Sequence, residues 1–457
     1  MTLLDPSVAT PPTITSRSRT RALIGISLGY FMVLLDMTVL SVAEPDLARS
    51  LGGSVAGLQW TVSGYTVVFG ALLLTAGSVA DRFGAHRAFR VGIVGFGVGS
   101  LLSAAAPNLW TLVALRGLLG VAAAACVPAS MAMITRLFPI PAERAGAVSV
   151  WAALSGAALA VGPLAGGLLV DAYGWRAIFL INVPIAALTL ALTAGRAVRC
   201  PRGERPIDRA SQFVVCVALG LATDALIAAG SGSGTHAAGS GAAAVLAALL
   251  FVRAERRSPH PVLPAAVLRS RATRAALLAG AAVNFAMTGL LFVLPLLFRQ
   301  NLHMSPMRTG VAFLPMTLPF AVNPLLTRRI VARSGPRAPM LAGLGLLTSG
   351  CVVFAVAVLA GSGYPVLAIG LVCTGFGVSF ALPALVGTVI ATAPEGTAGA
   401  AGGLLNAVRQ IGATVGVAAM GAFVGVDGAT GGHDLARALL LPAALCAVMT
   451  VVVGRRA

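Results

Sequence analysis

Apolar stretches of about 20 residues recur along the whole chain, and they limit the possible folds more than any other feature. A helix of this length can cross the roughly 30 Å hydrocarbon core of a bilayer. Hydrophobic residues make up 58% of the 457 residues and charged residues only 10%, whereas soluble domains contain roughly 25% charged residues. The sequence therefore predicts an all-α integral membrane protein and excludes a soluble globular enzyme.

The apolar runs, divided by length, predict fourteen transmembrane spans. They cover residues 22–43, 58–79, 88–106, 109–131, 146–169, 177–195, 211–230, 237–252, 274–297, 309–327, 338–359, 364–391, 400–424 and 437–453. The eighth span is short and rich in alanine. An arrangement with twelve crossing helices, in which spans seven and eight form a re-entrant hairpin, therefore stays open.

Arginine supplies all 32 basic residues, against 14 acids, which gives a formal charge of +18. The alternate inter-span segments that begin with the N-terminal one hold 25 arginines, and the other set holds five. Cytoplasmic loops carry such an excess of basic residues, so we expect both termini in the cytoplasm. The arginines lie in short segments without interleaved aromatic residues, so we expect no nucleic-acid partner.

Two weak internal similarities indicate that the chain has related halves. Residues 79–84 resemble residues 331–335, with Gly84 matching Gly335, and the glycine-rich fifth span resembles the thirteenth. Parallel repeats in transporters place a substrate cavity between the halves, near the bilayer midplane. We predict a cytoplasmic N-terminal tail (1–21), an N-terminal six-helix bundle (22–196), a linker with two additional helices (197–253), a cytoplasmic loop (254–273) and a C-terminal six-helix bundle (274–457).

Asp36, within the first span, is the strongest candidate for a functional ionisable residue, because a charge at a helix centre is costly in lipid. A rise of 1.5 Å per residue puts Asp36 about 21 Å from the cytoplasmic end of its span, and Arg116 about 10 Å from the outer end of span four. These depths nearly coincide. We expect the two side chains to face one polar cavity, where Arg116 favours the ionised carboxylate. A static ion pair that fixes helix packing is the alternative.

The segment that follows the second span combines an acid, glycines and arginines. It contains Gly77, Asp81, Arg82, Gly84 and Arg87. A short loop of these residue types can join neighbouring helix ends by charge-assisted hydrogen bonds, and breaking those bonds would let the halves rock. We interpret the segment as a cytoplasmic gate, with a merely solvated loop as the alternative.

The fifth span carries small residues at helical spacing, namely Gly156, Gly162, Pro163, Gly166 and Gly167. Such residues let helix backbones approach closely, and a proline inside a helix bends it. Tight packing at this span can seal a leak path. Small residues at this spacing are also common in membrane helices that have no such role.

Four polar or aromatic residues inside spans are candidates for a substrate cavity: Gln59, Tyr65, Asn284 and Phe285. Aromatic faces and a few amides suit large apolar or cationic molecules. The six cysteines include no C-x-x-C pair and the five histidines fall between spans. We therefore expect no metal site and no cofactor.

Two further charged residues lie within spans. Asp224 lies toward the outer end of the seventh span, where we favour a structural or interfacial role over a role as a second ionisable site. Arg409 lies in the thirteenth span, near its cytoplasmic end, and the sequence leaves its burial open.

In combination, these motifs resemble those of the major facilitator superfamily, specifically the fourteen-helix drug:proton antiporter branch that includes bacterial antibiotic exporters. The resemblance extends over nearly the whole chain. It rests on residues 35–39 with Pro45, the loop from Gly77 to Arg87, residues 115–120, residues 162–167, Gly174, Trp175, Arg176, Phe179, Asn182, Pro184 and residues 406–410.

Three residues depart from the family pattern. Leu119 replaces a glutamine, Ala85 replaces a basic residue, and Glu44 replaces an apolar residue at the outer end of span one. Glu44 is either a cation-attracting vestibule residue or a solvated carboxylate, and we favour the solvated carboxylate.

The resemblance implies two six-helix bundles plus two additional helices (6+2+6), and proton-coupled export of amphipathic drugs or antibiotics across the cytoplasmic membrane by alternating access. It assigns Asp36 and Arg116 to proton coupling, the Asp81 loop to the cytoplasmic gate and the span-five motif to antiport. The implied partners are a small amphipathic substrate, protons and membrane lipid, and we expect a monomer that is not an enzyme. A membrane sensor or assembly subunit without transport activity, and a proton-coupled importer, are the alternatives.

Overall fold

Long helices form nearly all of the protein in the computed structural model. The structure describes residues 16–195, 200, 209–258, 267–394, 398–424 and 431–456. Parts of the predicted tail, linker and cytoplasmic loop (residues 1–15, 196–199, 201–208 and 259–266) lie outside the described residues.

Sixteen α-helices and a 3-10 turn at Val267–Arg269 occur within these ranges. In chain order the helices are α1 (Ser16–Leu51), α2 (Val55–Phe83), α3 (Ala85–Ala104), α4 (Leu109–Leu137), α5 (Pro141–Tyr173), α6 (Ala177–Leu180), α7 (Asn182–Leu192), α8 (Arg209–Gly230), α9 (Gly234–Arg257), α10 (Arg271–Gln300), α11 (Pro306–Ala312), α12 (Leu314–Ser334), α13 (Arg337–Leu359), α14 (Tyr364–Ala391), α15 (Ala398–Gly421) and α16 (Gly432–Arg456).

These segments are helical because the hydrocarbon core of a bilayer contains no water that could bond to the backbone. A helix satisfies its N–H and C=O groups internally. Of the helices in the described ranges, eleven are long and apolar enough to cross a membrane. The predicted all-α membrane fold is confirmed. Fourteen helical rods correspond to the fourteen predicted spans, since α6 continues into α7 and α11 into α12.

Two predicted spans each consist of two helices, α6 with α7 and α11 with α12, and a proline follows each break. Pro184 cannot donate a hydrogen bond to the carbonyl of Leu180, and Pro315 cannot donate one to the carbonyl of Val311. The junction residues Ile181 and Phe313 nevertheless keep right-handed helical dihedral angles. The backbone therefore stays in the right-handed helical region at each interruption.

Several helices extend beyond the apolar runs that predicted them. The helix α1 begins at Ser16, so its first residues belong to the segment that the sequence predicts as an N-terminal tail. Polar turns of this kind reach past the hydrocarbon core into the interface, where charged side chains contact water. A criterion based on apolar length misses them for that reason.

The buried apolar residues form two main clusters. One is confined to α1–α5 and α7, and the other runs through α10–α16 and also includes residues of α1–α6. We call α1–α7 the N-terminal bundle and α10–α16 the C-terminal bundle. The boundaries of the predicted domains stay a prediction.

The two ends of the helices carry different charged residues. At one end α1 begins and α2 and α4 end, and Arg17, Arg82 and Arg136 lie there. We call this the arginine-rich end, and it corresponds to the predicted cytoplasmic side. The other end, which holds Asp46 and Arg299, is called the opposite end.

The helices α8 and α9 form a hairpin beside the two bundles. Gln212 of α8 donates a hydrogen bond to the carbonyl of Ala71 in α2, at 2.8 Å. Asp224 lies 2.8 Å from His236 and joins α8 to α9, an arrangement consistent with the structural role favoured for it. At 22 and 24 residues, the helices span about 33 and 36 Å, which favours full crossing over a re-entrant hairpin.

Candidate functional site

Asp36 of α1 and Arg116 of α4 form an ion pair inside the N-terminal bundle. The Nη1 atom of Arg116 donates to Oδ2 of Asp36. The side chain of Asp36 is 0% exposed and that of Arg116 is 1% exposed. Removing one partner of such a pair leaves a buried charge uncompensated, at a cost of about 3–5 kcal/mol. Each charge therefore depends on the other.

Neutral groups from three other helices complete the hydrogen bonding of this pair. The Nδ2 atom of Asn182 donates to Oδ1 of Asp36 at 2.9 Å and to Oγ of Ser100 at 3.2 Å. The Nε atom of Arg116 donates to the carbonyl of Thr61 at 3.1 Å. The sequence placed Asn182 in a motif without a partner, and it gave no indication of Ser100 or Thr61.

The expectation that Asp36 and Arg116 line a cavity is wrong for this conformation. Both side chains are enclosed by α1, α2, α3, α4 and α7 of one bundle. The hypothesis placed them correctly in depth, but helix depth contains no information about which face of a helix meets the other bundle. Their role in proton coupling stays a prediction.

Two predicted substrate-cavity residues are packed against other groups. Tyr65 is 0% exposed, and its ring lies under the guanidinium of Arg116, 4.5 Å from the ring centroid. Gln59 is buried, and its Nε2 atom donates to the carbonyls of Val417 and Ala418 in α15, at 3.1 and 3.0 Å. In this structure Tyr65 belongs to the ion-pair site and Gln59 to a contact between bundles.

The structure also contradicts the interpretation of Glu44 as a solvated carboxylate. Glu44 is 2% exposed. Its Oε2 atom is buried and has no hydrogen-bond partner within the described ranges. The sequence placed this residue at the outer end of a span, but α1 continues for seven further residues to Leu51, so Glu44 lies within the packed part of the helix.

A single residue, Gly84, joins α2 to α3 in the predicted gate segment. Its φ of 89° lies in a region that other residues rarely adopt. The matching residue of the repeat, Gly335, has a φ of 72° between α12 and α13. The two halves thus turn at equivalent places, as the sequence similarity indicated.

The charged residues of the gate segment lie at the arginine-rich end. Arg82 and Arg87 are exposed and Asp81 is half-buried, while Gly77 lies within α2. The neighbouring His86, which the sequence did not single out, is buried and accepts a hydrogen bond at Nδ1 from the backbone N–H of Cys200, at 3.0 Å. The segment thus contacts the chain that leads to α8, and its role as a gate stays a prediction.

The glycines of α5 lie against both bundles. A Cβ atom at Gly162 would collide with Thr38 of α1, and one at Gly166 would lie 2.6 Å from the carbonyl oxygen of Val39. Gly167 faces α11, where a Cβ atom would lie 3.1 Å from Cα of Gly310. The carbonyl oxygen of Phe320 lies 3.3 Å from a Cβ built at Gly156, and Pro163 lies inside the helix.

The two bundles are joined at the opposite end. Arg299 of α10 lies 3.2 Å from Asp46 of α1, and nearer the middle of the bundle the hydroxyls of Thr66 and Thr414 are 2.7 Å apart. The glycine contact between α5 and α11 also joins the bundles near the opposite end.

A polar and aromatic cluster lies between the bundles near the middle of the helices. Tyr30 of α1 stacks on Trp151 of α5, with ring centroids 4.4 Å apart and planes at 10°. Arg409 of α15 acts electrostatically on Tyr30. It donates to Oδ1 of Asn284 and to Oδ1 of Asn406, both at 3.1 Å. Arg409 makes no ion pair within the part of the chain that the structure describes.

The two predicted cavity residues in α10, Asn284 and Phe285, have different surroundings. Asn284 is buried and accepts a hydrogen bond from Arg409 within the C-terminal bundle. Phe285 is 8% exposed, and its backbone carbonyl lies against Gly416 of α15. The structure thus answers the open question about the burial of Arg409, whose side chain is half-buried.

A separate small cavity of about 50 Å³ lies between α2, α8 and α15, beside Thr66, Thr223 and Thr414. Pockets for drug-sized ligands have volumes of about 300–1,000 Å³, so this cavity is too small for such a molecule. Among the described residues, no group of three or more His, Cys, Asp or Glu side chains is arranged to hold a metal ion.

Residues 26–417 match the model of the Major Facilitator Superfamily. The chain is similar to the multidrug resistance protein Stp of Mycobacterium tuberculosis (strain CDC 1551 / Oshkosh), with 33% identity over 410 residues that cover 89% of this chain and 76% of that protein. It is also similar to the tetracenomycin C resistance and export protein of Streptomyces glaucescens, with 34% identity over 411 residues that cover 87% of this chain and 74% of that protein.

The fold resembles that of a solved structure, a bacterial homologue of the human lysosomal transporter Spinster in an inward-facing and unoccupied conformation. The TM-score is 0.68 at 15% identity, and the match covers 96% of this chain and 97% of that one. At this level of identity the likeness concerns the fold alone.

Proposed function

The chain belongs to the major facilitator superfamily, and on this premise we propose that it exports amphipathic drugs or antibiotics in exchange for protons, by alternating access. The family resemblance found in the sequence is confirmed. Relatives named as resistance and export proteins support a drug-like substrate and an outward direction.

The observation that carries the proposal is the buried ion pair between Asp36 and Arg116. A carboxylate and a guanidinium held inside one bundle form a site whose stability changes when a proton binds. Protonation of Asp36 removes its charge and leaves Arg116 without a counter-charge, which is costly in a buried site. The local packing of α1 against α4 must then change.

The helix α1 transmits this change to the interface between the bundles. It holds Asp36 in its interior, and at the opposite end it carries Asp46, the ion-pair partner of Arg299 in α10. It also packs against Gly162 and Gly166 of α5. A movement of α1 on protonation therefore acts on the contacts that join the bundles at the opposite end.

The substrate binds, in this proposal, at the cluster between the bundles. The stacked rings of Tyr30 and Trp151 offer an aromatic surface. Arg409, supported by Asn284 and Asn406, offers hydrogen-bond donors to an acidic or carbonyl oxygen. An amphipathic molecule with both features fits this combination.

In this proposal the protein is a monomer in the cytoplasmic membrane, with both termini in the cytoplasm. The arginine excess at one end supports this orientation, and the ion pair of Asp46 with Arg299 then lies on the outer side. Protons enter from outside and neutralise Asp36, and their passage drives the substrate outward. The electrical part of the protonmotive force supplies about 2.3 kcal/mol per charge per 100 mV.

Transport by the purified protein in proteoliposomes tests the proposal. Substrate counterflow distinguishes a transporter from a membrane sensor, which binds ligand without flux, and an imposed pH gradient assigns the direction. The variant Asp36→Asn should fold and insert but lose proton-driven transport. Asp224→Asn, which changes a charged residue outside the ion pair, should keep it. Unchanged transport in Asp36→Asn would remove Asp36 from the mechanism.

A further inference from the structure

Glu44 is a buried carboxyl group that the proposed coupling pair does not use. It lies in α1, eight residues after Asp36, and therefore about 12 Å farther along the helix axis. Its side chain is buried, and Oε2 has no hydrogen-bond partner within the described ranges. An isolated carboxylate in such a site is strongly disfavoured, so a group of this kind binds a proton instead.

Arg116 is the cation whose field reaches Glu44. Arg116 uses Nη1 for Asp36 and Nε for the carbonyl of Thr61. A guanidinium has donors for several acceptors. One arginine thus lies within electrostatic range of two carboxyl groups and pairs with one of them.

Other charged groups near this part of α1 have their own partners. Asp46 pairs with Arg299 of α10 and with Arg49 of its own helix, and Asp171 of α5 acts on Arg299. On the side toward the arginine-rich end, Tyr65 of α2 lies under Arg116. Arg116 is therefore the counter-charge available to Glu44 when it ionises.

We propose that Glu44 is a second proton-binding site, on the opposite-end side of Asp36, and that Arg116 pairs with the two carboxylates in alternation. The inference rests on the proposed function for its physiological meaning. In the present conformation Asp36 is ionised and paired, and Glu44 holds a proton.

The transfer between the two sites conserves atoms and charge. The O–H bond of Glu44 breaks, and the proton passes through water that enters when the opposite end opens. An O–H bond forms on Oδ2 of Asp36, the oxygen that Arg116 releases. The guanidinium of Arg116 moves to the new Glu44 carboxylate. The site keeps one positive charge, one negative charge and one proton throughout.

Infrared spectroscopy of the purified protein tests the protonation directly. The wild-type protein at neutral pH should show the carbonyl stretch of a buried carboxylic acid, and Glu44→Gln should remove it. Glu143→Gln, which changes an exposed glutamate at the arginine-rich end, should leave the band in place. Absence of the band from the wild-type protein overturns the proposal.

The alternation of Arg116 is tested by the same band in Asp36→Asn. Without its first partner, Arg116 should pair with Glu44, so that Glu44 ionises and the band is lost. A band that persists unchanged in a folded Asp36→Asn protein contradicts the alternation. If that variant does not fold, Asp36→Glu, which keeps the charge of the first partner, should retain the band, and loss of the band there overturns the proposal.

Transport measurements separate this inference from the proposed function. Glu44→Gln should retain counterflow but lose most of the acceleration by a proton gradient, and Glu44→Asp should restore part of it. A full response to the gradient in Glu44→Gln overturns the second site. If the wild-type protein shows no proton-driven transport, the proposed function fails, while the infrared band still reports whether Glu44 holds a proton.

Discussion

The amide nitrogen of Asn182 donates a hydrogen bond of 2.9 Å to Oδ1 of Asp36, the carboxylate oxygen that Arg116 does not engage. Asp36 is thus held from both sides, by a cation on α4 and by a neutral donor on α7. The bond to Asn182 fixes the orientation of the carboxylate, because an amide nitrogen can donate a hydrogen bond but not accept one.

Replacement of Asn182 by alanine should therefore weaken the site that holds the ion pair. A hydrogen bond to a charged group contributes about 1.5–3 kcal/mol. Asn182→Ala should unfold at a lower temperature in detergent, and it should show slower proton-driven transport in vesicles. Ser100→Ala, which removes a hydroxyl that contacts Asn182 but not Asp36, should have a smaller effect. Asn182→Ala behaviour equal to that of the wild-type protein contradicts this role.

Gly167 should be sensitive to the addition of a single methyl group. Its Cβ position lies 2.5 Å from the carbonyl oxygen of Pro306 and against Gly310 in α11, so Gly167→Ala separates α5 from α11. Overpacking of this kind costs about 1–3 kcal/mol. Thermal unfolding in detergent and proton leak through vesicles measure the effect.

The matched control for Gly167 lies in the same helix. Gly146 has no atom within 4 Å of its Cβ position, so Gly146→Ala should leave the proton leak unchanged and should not lower the stability. Equal behaviour of the two variants would show that the contact between α5 and α11 contributes little to the seal.

The backbone at Gly84 predicts a further destabilised variant. The φ of 89° is strained for any residue with a Cβ atom, at a cost of about 1–3 kcal/mol. Gly84→Ala should unfold at a lower temperature than the wild-type protein. Gly77→Ala changes a helical glycine of the same motif with no atom within 4 Å, and it should be neutral or slightly stabilising. A neutral Gly84→Ala variant would indicate that α2 and α3 are not joined as described.

Arg409 should determine the preference for acidic substrates. The loss of a charge-assisted hydrogen bond costs about 1.5–3 kcal/mol, so Arg409→Gln should raise the KM for an acidic amphipathic substrate by about 10- to 100-fold. The KM for a neutral substrate of the same size should change little. Arg409→Lys keeps the charge without the planar fork and should lie between the two. An equal loss for both substrates would indicate a structural role for Arg409.

Much of the fold was predictable from local properties of the chain. The candidate spans follow from apolar length, and the turn at Gly84 follows from a short motif. The interruptions next to Pro184 and Pro315 were not predicted, because the sequence does not tell which prolines end a helix, and Pro163 lies inside a continuous one. The helical turns before residue 22 were missed because they lie outside the hydrocarbon core.

The candidate site was predictable only in part. Asp36 and Arg116 stand out because charges are rare inside apolar spans, and their depths follow from helix rise. Their partners Asn182, Ser100 and Thr61 did not stand out, since polar neutral residues and backbone carbonyls are frequent in membrane helices. Glu44 and Tyr65 were placed wrongly for a related reason, namely that depth does not fix the face on which a side chain lies.

The sequence by itself determined that this protein is a helical membrane protein and which charges lie inside the spans. These properties depend on the length and polarity of each segment taken alone, because every helix in the bilayer satisfies its own backbone hydrogen bonds. The tertiary structure alone decided that Asp36 and Arg116 are enclosed within one bundle, that Arg409 pairs with Asn284 and Asn406, and that Glu44 is buried. Those relationships depend on the rotation and contact of helices that are far apart in the chain, and the packing of side chains between helices sets them.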